Sequence, residues 1–174
     1  RLKLDLSDIE IVDMRADQEQ GRRATYAKHL AKKRARQGYN FEEAYDKMYE
    51  RNYFGMMMVE TGEADAFITG LYTKYSNTIK VAKEVVGIRP EYKTFATMHI
   101  LNTKKGTFYI SDTLINRHPD ENVLMDVAKL SAHTVQFFNE EPHIAMISYS
   151  NFGTDEVGSP MKVHLAVEEM QKQY

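Results

Sequence analysis

The 174-residue chain contains no cysteine. That absence excludes a disulfide scaffold, a thiolate metal site and a cysteine nucleophile, and it agrees with a reducing compartment. There is no surplus of either charge: 23 Lys and Arg stand against 25 Asp and Glu, a formal net charge of -2. A near-neutral chain gives no electrostatic case for nucleic acid as a partner. No apolar run approaches the length of a membrane span. The first residues, RLKLDLSDIE, are interrupted by charges and do not read as a signal peptide. We therefore expect a cytoplasmic protein without membrane contact. GxGxxG, GxxxxGKS/T and GxSxG are all missing, so no nucleotide fingerprint or nucleophile elbow stands out. There is no HExxH and no pair of histidines at i,i+4, so no zinc site is expected. An initiator methionine is missing too, and the expectation is a segment of a longer chain.

What is present begins with RNYFGMMMVETGEADAFITG, residues 51–70. Three consecutive methionines on one helix point in different directions, so a helix over residues 53–60 must be buried nearly all round. Gly62 suits its C′ position, where positive φ costs glycine little. Upstream, residues 9–13 (IEIVD) read as a short buried strand. Residues 22–37 read as a helix with an apolar stripe at Tyr26, Ala27, Leu30 and Ala31, ended by Gly38. Asn40 is the expected N-cap of a helix over residues 41–51. The run KHLAKKRAR within the first helix reads as one solvated basic face, with weak contact to a polyanionic ligand as the other reading.

Downstream, residues 64–69 (ADAFIT) read as a strand, and Ser76 as the N-cap of a helix through Val86, stopped by Gly87 and Pro90. FATMHIL and TFYIS, joined by NTKKG, read as a hairpin. Residues 118–142 carry a helical period through Val123, Val127, Leu130 and Phe138. HIAMISYS, residues 143–150, reads as another strand. Pro160 suits the first turn of a last helix to about Lys172. Strands alternate with helices, so a three-layer α/β domain is the expected architecture.

Three segments run strand, polar loop, helix: FITGLYTKYSNTI, YISDTLINRHPDENV and ISYSNFGTDEVGSPMKV. In open α/β sheets, ligands gather at the carboxyl ends of the strands, and helix N-termini favour anions. The first loop offers Gly70, Thr73 and Ser76, with Lys80 one turn into the helix. The second offers Asp112 and Asn116. The third offers Ser148, Ser150, Asn151 and Gly153. If the strands are parallel, the three loops share one edge and form a ligand cleft. The same residue types also cap helices and make turns, and that reading stands beside the first.

YFGMMMVETGEADAFITG, TIKVAKEVVGIRP, ISDTLIN, and HIAMISYSNFG with KVHLAVEEM resemble the phosphate acetyl/butyryltransferase family, the phosphotransacetylases. The blocks occur in order from about residue 40 onward. RNYFG before a methionine-rich helix, and SYSNFG rather than SYST, are most similar to the phosphotransacetylase-like C-terminal region of bacterial NADP-dependent malic enzymes. The resemblance implies a mixed, mostly parallel sheet in a three-layer sandwich, of the kind shared with isocitrate and isopropylmalate dehydrogenases. It implies one phosphotransacetylase-like fragment over residues 1–174, with a strand and leading helices over 1–50 and a second α/β subdomain over 51–174. It implies a non-catalytic role as an acetyl-CoA-responsive regulatory and oligomerisation region, at least dimeric. The effector would be acetyl-CoA or an acyl-phosphate-like molecule lining the three loops. NADP and a divalent metal, Mg or Mn, would belong to the malate-oxidising unit before Arg1, and this chain would hold no cofactor itself. Transferases of the family carry an arginine in an RPALQ-like helix where this chain has Lys80 in IKVAKE. Lysine supplies charge without a bidentate fork. The family's DGxxQxDA and LSRG blocks would fall after Tyr174, so the isolated chain is expected to be inactive. The alternatives are a fragment of an active phosphate acetyltransferase and an unrelated small-molecule or nucleic-acid binding module.

Overall fold

A computed structural model describes residues 5, 7–151, 154–155 and 157–173. The chain divides into two compact units, Arg1–Gly87 and Ile88–Tyr174. The boundary expected between residues 50 and 51 falls inside the first of them.

In the first unit a 3-10 turn, Asp17–Glu19, leads into α1, Gln20–Arg34. Arg23, Tyr26, Ala27 and Leu30 are its buried residues. Their i, i+3, i+4, i+7 spacing makes the single stripe that a packed helix needs. The Arg23 guanidinium donates to the carbonyls of Met14 and Ala16 at 2.7 and 2.8 Å, so its buried charge is satisfied and holds the preceding segment down. A second 3-10 turn, Ala35–Gln37, ends at Gly38 with φ 85°. Asn40 then caps α2, Phe41–Lys47, its Oδ1 accepting from the Glu43 amide at 2.8 Å. The helix expected over 41–51 ends earlier, at Lys47, and the next, expected over 53–60, begins earlier, at Arg51. Turn hydrogen bonds from the amides of Met48, Tyr49 and Glu50 close α2. The chain then reverses into an extended Glu50 and starts α3, Arg51–Glu60. That break lets Met48 and the face of α3 enter one core.

The α3 helix buries Asn52, Tyr53, Phe54, Met56 and Met57, with Met58 packed at the edge of the same core. It is enclosed within its own unit, packing on α1 and on α4, Tyr75–Val85. Residues 64–69 close it further. A Cβ on Gly55 would lie 2.2 Å from the Phe67 ring, so only glycine lets that ring seat on the helix. Gly62 (φ 78°) and Gly87 (φ 87°) take the expected left-handed conformation after α3 and α4. Ser76 does not cap α4. The N-cap is Lys74, which makes no side-chain cap bond, and Ser76 lies inside the first turn.

In the second unit β1, Met98–Thr103, and β2, Gly106–Ser111, form the expected antiparallel hairpin, in register from Met98 opposite Ser111 to Thr103 opposite Gly106. Asp120 caps α5, Glu121–Phe137, accepting from the Val123 amide at 2.8 Å. α5 packs on β2 and on α6, Gly158–Gln173, whose third residue is Pro160.

The sheet is smaller than expected. Among the described residues the only ladder is β1–β2. Residues 9–13, 64–69 and 143–150 run without one. β-forming side chains alone do not make a strand, because its backbone groups need a neighbouring strand to bond. These runs find none within their units. Ile9, Ile11, Ile68, Ile144 and Ile147 are exposed in them. The mostly parallel sheet of the expected three-layer sandwich is thus not seen among the described residues. Among those residues no helix is long and apolar enough to cross a membrane.

Candidate functional site

The loop after residue 69 belongs to the first unit, and its floor is a buried amide. Asn52, on α3, is 6% exposed. Its Oδ1 accepts from the Thr69 hydroxyl at 2.8 Å, and its Nδ2 donates to the Thr73 and Thr78 hydroxyls at 3.4 and 3.3 Å. Thr73 and Thr78 are themselves 3.2 Å apart. The structure therefore brings Thr73 together with residues on both sides of the loop. Gly70 sits at the exposed start of this loop, where the Tyr72 amide donates back to its carbonyl at 2.8 Å. Leu71, beside it, has φ 67°. The backbone at 70–72 is thus a tight turn with its side chains outward.

Lys80 is largely exposed on α4 and lies 3.8 Å from Glu84, one turn further on. Glu84 is the centre of a second network. Its Oε2 accepts from the Tyr39 hydroxyl at 2.6 Å and also from the Tyr53 hydroxyl. Lys47 Nζ in turn donates to the Tyr53 oxygen at 3.2 Å and sits over the Tyr53 ring. Burial alone would raise the Glu84 carboxyl. The two phenol hydrogen bonds and the charges of Lys80 and Lys47 outweigh it and hold the group below its ordinary value. Burial and the Glu84 carboxylate push both Tyr39 and Tyr53 upward, so these phenols stay protonated donors. Lys80 thus makes a loose surface pair on its own helix, which leaves its charge open to solvent.

Asp112 and Asn116 belong to the second unit and are brought together there. Asp112 Oδ1 accepts from the amide and hydroxyl of Thr97 at 3.0 and 2.7 Å. Its Oδ2 accepts from the amide and the side-chain nitrogen of Asn116 at 2.7 and 2.8 Å. Asn116 also donates to the Phe95 carbonyl at 3.1 Å. Burial would raise the Asp112 carboxyl, but the donors on Thr97 and Asn116 lower it. The carboxylate organises the turn after β2. In the third loop Ser148 Oγ accepts from the Ser150 amide at 3.3 Å, and Ser150 Oγ accepts from the Asp155 amide at 3.1 Å. Asn151 anchors a turn through its carbonyl, which accepts from the Thr154 amide at 3.1 Å. Gly153 lies outside the described residues. Among the described residues no three His, Asp or Glu side chains form a group that could hold a metal ion.

Asn52, Thr69, Thr78 and Glu84 were not singled out from sequence. A signal for Asn52 was there: an amide inside an apolar helix, three residues before a glycine, is costly unless something bonds it.

The sequence profile of the family described as "Phosphate acetyl/butaryl transferase" matches residues 1–174. The NADP-dependent malic enzyme of Escherichia coli is 38% identical over 114 residues, 66% of this chain and 15% of that protein. The phosphate acetyltransferase of Nitratidesulfovibrio vulgaris is 31% identical over 117 residues, 67% of this chain and 17% of that protein. The solved structure of EutD phosphotransacetylase from Staphylococcus aureus superposes with a TM-score of 0.75 at 24% identity, over 98% of this chain and 50% of that one. The chain thus has the α/β fold of that structure and spans about half of it, and under a fifth of the two curated relatives.

Proposed function

The chain belongs to the phosphate acetyl/butaryl transferase family, and we propose that it serves as the acetyl-CoA-responsive, non-catalytic region of a cytoplasmic NADP-dependent malic enzyme. The observation that carries this reading is the 38% identity to the Escherichia coli malic enzyme. In this reading the malate, the NADP and the divalent metal are handled outside these residues. The region binds acetyl-CoA or an acyl-phosphate-like effector and takes part in a homo-oligomer, at least a dimer. Residues 9–13, 64–69 and 143–150 would find ladder partners in the wider sheet of a three-layer sandwich. Acetyl-CoA would be met by the 70–76 loop, by the amides at the start of α4 and by the Lys80 charge.

The test uses the intact protein. Malate-dependent NADP reduction is measured with and without acetyl-CoA, and acetyl transfer from acetyl phosphate to CoA is measured in parallel. We expect malate turnover that responds to acetyl-CoA and no acetyl transfer. A charge-assisted contact is worth about 1.5–3 kcal/mol, so Lys80→Ala should weaken the acetyl-CoA response about tenfold while leaving turnover without effector unchanged. The identity to phosphate acetyltransferases, 31% for that of Nitratidesulfovibrio vulgaris, supports the second reading, a part of an active transferase. Acetyl transfer without malate oxidation would establish that one instead.

A further inference from the structure

We propose that Asn52 is the positioning residue that fixes the loop between Thr69 and Thr78, and through it the effector site; the second half of this inference rests on the ligand reading given above. A buried amide costs free energy unless its polar atoms are bonded. Asn52 spends its oxygen on Thr69, before the loop, and its nitrogen on Thr73 and Thr78, within the loop and just after it. The loop has little else to hold it. Ile68, Leu71 and Tyr72 are 96%, 100% and 79% exposed, so no large apolar side chain anchors it. The Arg51 guanidinium lies over the Tyr72 ring at 4.9 Å, at an exposed site. α4 follows Lys74 without a side-chain cap, and Thr78, bonded to Asn52, lies in its first turns.

Asn52 stands three residues before Gly55, on the same face of α3. One helical face therefore reads the incoming segment twice. Phe67 seats on the glycine and Thr69 bonds the amide. The amide then passes that placement on to Thr73 and Thr78. A hydrophobic side chain of similar volume at position 52 would fill the space and keep the ring contact, but it would release the three hydroxyls. That separates positioning from packing.

The experiment compares the intact protein with Asn52→Leu and Thr69→Val. Tryptic cleavage after Lys74 reports on the loop, and cleavage after Lys104 or Lys105, in the β1–β2 turn, is the internal reference. Losing one such hydrogen bond should open the loop about fivefold more often. We therefore expect cleavage after Lys74 about fivefold faster in Thr69→Val and faster still in Asn52→Leu, with cleavage in the hairpin turn unchanged. The acetyl-CoA concentration for half-maximal response should rise by a similar factor with the maximal response unchanged. A purely structural lesion would lower that maximum instead. If Asn52→Leu fails to fold, Thr69→Val decides, because it removes one hydroxyl and keeps the shape. Wild-type cleavage after Lys74 in the folded variants would overturn the proposal. Faster cleavage with no acetyl-CoA response in any of the proteins, wild type included, would keep Asn52 as the organiser of the loop and remove the ligand reading.

Discussion

Tyr26, Leu30, Met48, Met57 and Val85 are fully buried in the first unit, where one continuous core joins α1, α2, α3 and α4. Among its described apolar residues the second unit buries Val127, Ala128, Val135, Pro160 and Ala166. Its hairpin leaves Ile100, Leu101, Phe108 and Ile110 about half exposed on both faces. The two units are of equal length and similar apolar patterning, yet one turns its pattern into a core and the other does not. Helices α1 and α4 and the Phe67 ring cover most of α3 within the first unit. A two-stranded hairpin has two faces, and among the described residues α5 is the helix that packs on it, through β2. Isolated hairpins are marginal for that reason. The first unit is accordingly where core substitutions should matter most.

The largest expected effect tests that contrast directly. Met57→Ala empties a fully enclosed position and should cost about 2–5 kcal/mol. Phe108→Ala removes a larger side chain from a half-exposed position. It should cost about 1 kcal/mol or less, because the area it returns to water is small. Urea unfolding of the two variants measures both. Equal losses would show that the hairpin is as well covered as α3 and would break the comparison.

The same contrast explains what was legible in the sequence. α1, α3, α5 and the hairpin could all be placed, because each is specified by its own residues: a stripe at 3.6 spacing, a glycine at C′, a polar turn with glycine, although that turn is only Lys104–Lys105 and the rest of NTKKG joins the ladder. The Asn40 cap was legible because it is local. Residues 9–13, 64–69 and 143–150 were read as strands from composition, but a ladder is a property of two segments and composition describes one. The break between α2 and α3 was read at residue 52 and falls at residues 48–50 instead. Residues 48–50 have good helical propensity, and tertiary packing of Met48 overrides it. Within the site, the loop residues were legible as loop residues. Their network was not, since Asn52 meets Thr69, Thr73 and Thr78 across 17 to 26 positions of sequence. Nor could the sequence say that Asp112 and Asn116 bond each other and Thr97.

A matched pair of caps sharpens the comparison at smaller magnitude. Asn40 caps α2 in the first unit and Asp120 caps α5 in the second, each accepting one amide at 2.8 Å. Asn40→Ala and Asp120→Ala should each cost about 1 kcal/mol. The chemistry is the same, so any difference in consequence belongs to the unit. Tryptic nicking in each unit at rising temperature reads it out. We expect the Asp120 variant to lose protection of its unit at the lower temperature, because less buried apolar surface stands behind that helix. Loss of protection at the same temperature in both would mean the two units share one stability.

The smallest effect is acid dependence, again with one group in each unit. Glu84 is held below its ordinary 4.5, and Asp112 below its ordinary 3.8. Burial opposes both shifts, and hydrogen bonds reverse it: from Tyr39 and Tyr53 for Glu84, from Thr97 and Asn116 for Asp112. A carboxyl whose folded value is depressed binds protons less readily in the folded chain than in the unfolded one. Its contribution is therefore fully present above the unfolded value and drains away as pH falls through the folded value. Stability should decline below pH 4.5 through Glu84 and below pH 3.8 through Asp112. Glu84→Gln and Asp112→Asn keep the shape and remove the titration. The urea midpoint, followed from about pH 5 to about pH 3, should fall less steeply in each variant, with the Glu84 difference appearing at the higher pH. A midpoint curve for Glu84→Gln parallel to the wild type across that range would mean that the Tyr39 and Tyr53 hydroxyls do not favour the ionised carboxylate.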